Sequence, residues 1–266
     1  MEILSFKVKG RFAHFRKYYA NNTALSFSIP PRTTLMGLTA AIMGWKKDSY
    51  YERLSSKHIH FGVRVLSPLK KSFQRLNFLS IKSTGDISKS FESDFRGKRG
   101  HIQTPFEVVS AHNIAKGEVC YQVFLSAEES GRKTFEAIKQ QVLNNEPVYN
   151  LSLGPANFPA TLYNKVLYGE KNIQKKTTDD FILLNSAIPS AVVDELEFSK
   201  DDYDQYSFVE EDMLPGDFVE NDNREVKEMN RLLFSITNLP LRVCINGTYL
   251  HIDAEEESFN IQFMDI

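Results

Sequence analysis

The chain has 266 residues, 42% hydrophobic and 25% charged, which is enough ordinary globular sequence to bury a sizeable core and excludes a disordered or fibrous chain. No stretch approaches the roughly 18 continuous apolar residues of a membrane-spanning helix, and Cys120 and Cys244 alone make no disulfide scaffold, so buried thiols in a reducing cytoplasm are expected. The net charge of −2 hides an asymmetry: residues 1–117 carry 20 Lys+Arg against 7 Asp+Glu, and residues 118–266 carry 12 against 27.

Residues 3–9 alternate strictly, with Leu4, Phe6 and Val8 on one side and Ser5, Lys7 and Lys9 on the other. That is a half-buried strand and not a signal peptide. The segment His14-Phe15-Arg16-Lys17-Tyr18-Tyr19 gathers an imidazole, two cations and two phenols. Such groups can hold RNA, and they can also supply the base, acid and cation of metal-free RNA cleavage. Ser28-Ile29-Pro30-Pro31 then ends in a rigid double proline, and a helix is expected from about Thr33 to Met43. Arg32, Thr33 and Thr34 fall where that helix exposes free N–H groups, a place that suits a phosphate oxygen. The plain alternative is a capped helix with a solvated arginine.

A second strand is expected at about 58–66 and a third at about 118–126. Between them lie some 50 residues, far more than a hairpin loop needs. This insertion holds Lys70, Lys71, Arg75, Lys82, Lys89, Arg96, Lys98 and Arg99, interleaved with Phe73, Phe78, Phe91 and Phe95, and its densest basic cluster ends at His101. Cations with aromatics between them suit single-stranded nucleic acid, through phosphate pairing and base stacking. The alternatives are a solvated loop, or neutralisation of the basic half by the acidic half across an internal contact.

Ser130 is the expected cap of a second helix at about 131–143, followed by a short fourth strand at 148–153. The order β-α-β-β-α-β is the ferredoxin-like, RRM-like arrangement of the α+β class. Residues 194–225 hold 13 acidic residues against Lys200 and Arg224 and read as a solvated acidic loop, a docking surface or a patch that repels nucleic acid. A short helix is expected from Glu225 to Leu233. Leu239–Ile245 and Thr248–Ile252 are expected to pair as a hairpin across Asn246-Gly247, with a last strand at 259–263. No phosphate-binding loop, nucleophile elbow or dinucleotide fingerprint is present, and the histidines lack metal-ligand spacing, so no metal or cofactor is expected.

Phe15-Arg16-Lys17-Tyr18-Tyr19, together with the run from Ala24 through Pro30-Pro31-Arg32-Thr33-Thr34-Leu35-Met36-Gly37-Leu38-Thr39-Ala40-Ala41-Ile42-Met43-Gly44, closely resembles the N-terminal signature of the fifth CRISPR-associated protein family. That family belongs to the repeat-associated mysterious protein superfamily. The resemblance continues through Gln103–Glu107 to the turn Leu151–Ala160, whose Gly154 matches the family's glycine-containing loop, so it covers about 165 residues and is most like type I-B. It implies a ferredoxin-like RNA-binding domain over 1–165 with a β-hairpin thumb at about 67–116, and a smaller, mainly β region over 166–266. It also implies a non-catalytic subunit of type I Cascade that holds the 5′ handle of the crRNA. Such a subunit would touch the backbone and large subunits, and target DNA only through the complex. The alternative is the metal-independent nuclease of the type I-C branch. The expected RNA contacts are Arg16, Lys17, Arg32, Thr33, Thr34, Lys70, Lys71, Arg75, Arg96, Lys98, Arg99, His101 and Gly154.

Overall fold

The computed structural model describes all residues except 21–22, 80–84, 86–100, 199–207, 220–223, 255–256 and 266. Strand β1 (Ile3–Gly10) is followed by three two-residue strands, β2 (Phe12–Ala13), β3 (Phe15–Arg16) and β4 (Ser26–Phe27), and then by helix α1 (Arg32–Met43). Next come β5 (Ile59–Val65), β6 (Leu69–Leu79), β7 (His101–Ala111), β8 (Val119–Ala127), helix α2 (Arg132–Asn144), β9 (Leu151–Ser152) and β10 (Pro159–Tyr168). The result is a sheet-rich mixed fold with few helices. Its main sheet has the order β5-β8-β1-β10-β9, and its named pairs are antiparallel. Among the described residues no helix is long and apolar enough to cross a membrane.

The alternation of β1 places Leu4, Phe6 and Val8 in the main core with Leu35, Met36 and Ile42 of α1 and Phe135 and Ile138 of α2. Helix α1 begins directly after Pro31, whose carbonyl accepts the N–H groups of Thr34 (2.9 Å) and Leu35 (3.0 Å); no side chain caps it. It stops at Gly44, in the left-handed region at φ 70°, and residues 148–149 close its last turn by donating from Val148 N to Ile42 O and from Tyr149 N to Ala41 O. The expected fourth strand is therefore corrected. Residues 148–149 serve the end of α1, only Leu151–Ser152 pairs, and β10 takes the place beside β1. Ser130 does not cap α2 either, because its Oγ lies 2.7 Å from His58 Nδ1.

The described flanks of the basic insertion form a long antiparallel pair, with β6 and β7 in unbroken register from Leu69↔Ala111 to Leu79↔His101; Lys82 and Lys89 lie outside the described residues. The C-terminal part holds β11 (Ile173–Thr177), β12 (Ile182–Leu184), β13 (Ile188–Pro189), β14 (Val193–Glu197), β15 (Val209–Phe218), β16 (Val226–Ser235), β17 (Leu241–Ile245), β18 (Thr248–Asp253) and β19 (Ser258–Ile261). Two expectations fail there. The helix expected from Glu225 to Leu233 is strand β16, because pairing with β15 buries Leu232 and Phe234 beside the main core. Strands β17 and β18 flank Asn246-Gly247 without pairing to each other. β17 sits between β12 and β14, with Val243 and Ile245 in one cluster, and β18 sits between β11 and β19, with Leu250 and Ile252 in another.

A buried ionic network ties these parts together. Arg32 is 1% exposed. Its Nη1 donates to Asp217 and to Gly216 O (3.3 Å), its Nη2 to Leu54 O (2.8 Å) and Ile59 O (2.6 Å), and its Nε lies 3.5 Å from Asp265 Oδ1. Asp265 also pairs with His60 Nδ1, and Glu128 lies 2.9 Å from His60 Nε2. The Asp265 hydrogen bond raises the His60 pKa, against the opposing effect of burial and with help from Glu128. A folded pKa above the unfolded value of about 6.5 means that this contribution is complete below that pH and is lost as pH rises through the folded pKa. We expect the stability gap between the native protein and His60→Gln to shrink as pH rises above about 6.5, read from urea midpoints. A gap that widens with pH would refute the coupling.

Candidate nucleic-acid interface

Three of the expected contacts converge on one groove of about 350 Å³: Thr33 and Thr34 at the start of α1, and Gly154 in the turn after β9. Tyr50, Tyr51, Asn150, Ser152 and Arg224 line it as well. Thr33 is 8% exposed and its hydroxyl has no hydrogen-bond partner among the described residues. The start of a helix favours an anion because its first N–H groups lack partners within the helix. Arg224 brings a half-exposed guanidinium to the groove, with Nε donating to Asp48 Oδ1 at 2.9 Å. The Tyr51 hydroxyl and Arg224 hold the Asp48 carboxyl below its usual range, and burial, with Asp48 beside it, pushes the Tyr51 phenol up. Sequence reasoning passed over Arg224; an arginine amid Glu220, Asp222 and Glu225 was the available signal.

The Gly154 turn joins this groove to the base of the hairpin. His14 N donates to Leu153 O at 2.9 Å, and the His14 ring stacks on Phe106 of β7 at 3.9 Å. Phe158 approaches both Phe12 and Phe106 at 6.2 Å. The turn that carries Gly154 and the hairpin therefore meet at His14, Phe106 and Phe158. His14 is 3% exposed, its Nδ1 lies 2.7 Å from Glu107 O, its Nε2 is buried without a partner, and burial lowers its pKa. It is a buried neutral imidazole, while its neighbours Tyr18 and Tyr19 are exposed.

The expected cations divide into three groups. Arg32 is corrected: it is buried and not turned to the surface, because Asp217, Asp265 and three backbone carbonyls surround it. Lys17 and Lys71 are half-buried at ion pairs with Asp212 and Glu210 of β15. Arg16, which donates to Ala20 O, and Lys70 and Arg75 of β6 have no carboxylate partner among the described residues. Arg96, Lys98 and Arg99 lie outside the described residues, and His101 opens β7. The expectation of a solvated acidic loop is corrected for β14 and β15: part of the acidic run is strand, and β15 neutralises cations of the basic half.

A family model described as CRISPR-associated protein (Cas_Cas5) matches residues 3–166. No curated protein matches the sequence. Among solved structures, a CRISPR protein from Archaeoglobus fulgidus superposes with a TM-score of 0.53 at 14% identity, covering 98% of each chain. A chain of a CRISPR RNA-guided surveillance complex gives a TM-score of 0.46 at 12% identity, covering 91% of this chain and 90% of that one. The former shows a shared fold, and the latter is too distant to carry an argument.

Proposed function

Because the chain belongs to the CRISPR-associated protein (Cas_Cas5) family, we propose that it is a non-catalytic RNA-binding subunit of a CRISPR effector complex that holds the 5′ handle of the crRNA. The carrying observation is the groove of Thr33, Thr34, Gly154 and Arg224, tied by the buried packing of His14 on Phe106 to a hairpin whose Lys70 and Arg75 have no partner among the described residues. A single RNA strand could set phosphates along the hairpin and one against the helix start. The sheet order β5-β8-β1-β10 supports a ferredoxin-like core with a thumb. In this reading the protein works in the cytoplasm within a type I-B-like complex. Its partners are the backbone and large subunits, and it meets target DNA only through them.

The burial of His14, and the pairing of Lys17 with Asp212, favour holding over cutting, since the imidazole is withdrawn from solvent and the ammonium is already engaged. The test is a salt titration of binding to crRNA carrying its 5′ handle. Each phosphate neutralised on a single strand contributes about 0.7 to the slope of log K against log salt, so Lys70→Ala/Arg75→Ala should flatten that slope by about 1.4. The RNA should stay intact in EDTA. Salt-insensitive or absent binding refutes the RNA reading, and a discrete cleavage product refutes the non-catalytic one in favour of a metal-independent nuclease.

A further inference from the structure

Resting on that reading, we infer that Glu210 and Asp212 of β15 are specificity-determining residues that withhold two cations of the RNA-facing surface from generic polyanions. The two carboxylates are two residues apart on one strand and so share a face of it. Glu210 lies 3.3 Å from the Lys71 ammonium at the base of the hairpin and also accepts from Ser28 Oγ. Asp212 pairs with Lys17, whose ammonium sits 5.1 Å from the centre of the Phe27 ring. All four paired side chains are between 14% and 27% exposed. At that depth the pairs are less screened by salt than surface pairs are.

The basic half therefore presents two kinds of cation. Arg16, Lys70 and Arg75 lack carboxylate partners among the described residues and attract any nucleic acid. Lys17 and Lys71 already face an anion. A phosphate approaching them must displace a carboxylate or lie beside it, and like charges at short range repel. An RNA without contacts elsewhere meets that opposition uncompensated. An RNA that also fills the groove at Thr33, Thr34 and Arg224 offsets it. Discrimination built from a repulsive element is a general route to specificity, and β15 places that element beside the attractive one.

The test is Glu210→Gln/Asp212→Asn, assayed with single-stranded oligouridine and with crRNA carrying its 5′ handle. Freeing two cations should steepen the salt slope for oligouridine by about 1.4 and tighten its binding at low salt about tenfold, with a smaller gain for the handle RNA. Should the double variant fold poorly, Glu210→Gln alone keeps an acceptor for Ser28 and should steepen the slope by about 0.7. A folded variant whose oligouridine affinity and slope are unchanged or weaker overturns the inference and leaves the RNA reading standing. Native protein that binds neither RNA at low salt overturns the RNA reading and the inference with it.

Discussion

Replacing Arg32 by alanine is expected to cost the fold, and not merely an RNA contact. The side chain is 1% exposed and holds together four pieces of chain: the start of α1, the residue 54–61 stretch, β15 through Asp217 and the C-terminal residues through Asp265. Its removal leaves Asp217, 4% exposed, as a buried carboxylate without its cation, leaves Asp265 ion-paired only with His60 among the described residues, and takes a donor from Gly216 O, Leu54 O and Ile59 O. Removing one partner of a buried pair costs about 3–5 kcal/mol, against a total stability of roughly 5–15 kcal/mol. Arg32→Lys should rescue little, because a single ammonium cannot span the partners of a planar guanidinium. Urea denaturation measures the loss. An alanine variant as stable as the native protein, weakened only in RNA binding, would return Arg32 to the surface role that the sequence suggested.

Gly154→Ala is expected to be the second most damaging change. Gly154 adopts φ +106°, which L side chains rarely adopt, and an added Cβ would fall 1.9 Å from His14 O. That contact is with backbone, so no rotamer change relieves it. The conformational cost alone is about 1–3 kcal/mol. The shift would strain the bond from His14 N to Leu153 O, and with it the join between groove and hairpin. Lower stability and weakened handle binding should therefore appear together, in thermal melts and in RNA titration of protein that is still folded. Native-like behaviour in both would show that the turn does not position the interface.

Much of the frame was legible in the chain because periodicity reports burial directly. The alternation of residues 3–9 predicted β1, the double proline and apolar face predicted α1, and the described flanks of the long basic stretch between two apolar strands pair as β6 and β7. The failures came where tertiary partners overrode local pattern. Val226–Ser235 is a strand because β15 pairs with it, and Val148 and Tyr149 end α1 instead of starting a strand. Strands β17 and β18 part company at Gly247: Tyr249 joins the cluster of Val243 and Ile245, but Leu250 and Ile252 enter another, and each strand pairs with different neighbours.

The interface divides the same way. Local pattern in the chain set out an N-terminal strand, a helix behind two prolines, a basic insertion and an acidic third, and with them the prospect of an RNA partner. The fate of each cation depended on long-range packing. Arg32 went into the core, Lys17 and Lys71 were matched to β15, Lys70 and Arg75 have no carboxylate partners among the described residues, and Arg224, paired with Asp48 176 positions away, was brought to the groove that Thr33 and Thr34 line. The physical reason is that a residue's type states its charge, whereas the availability of that charge depends on which carboxylates and carbonyls the fold sets within about 4 Å of it, and those come from distant parts of the sequence.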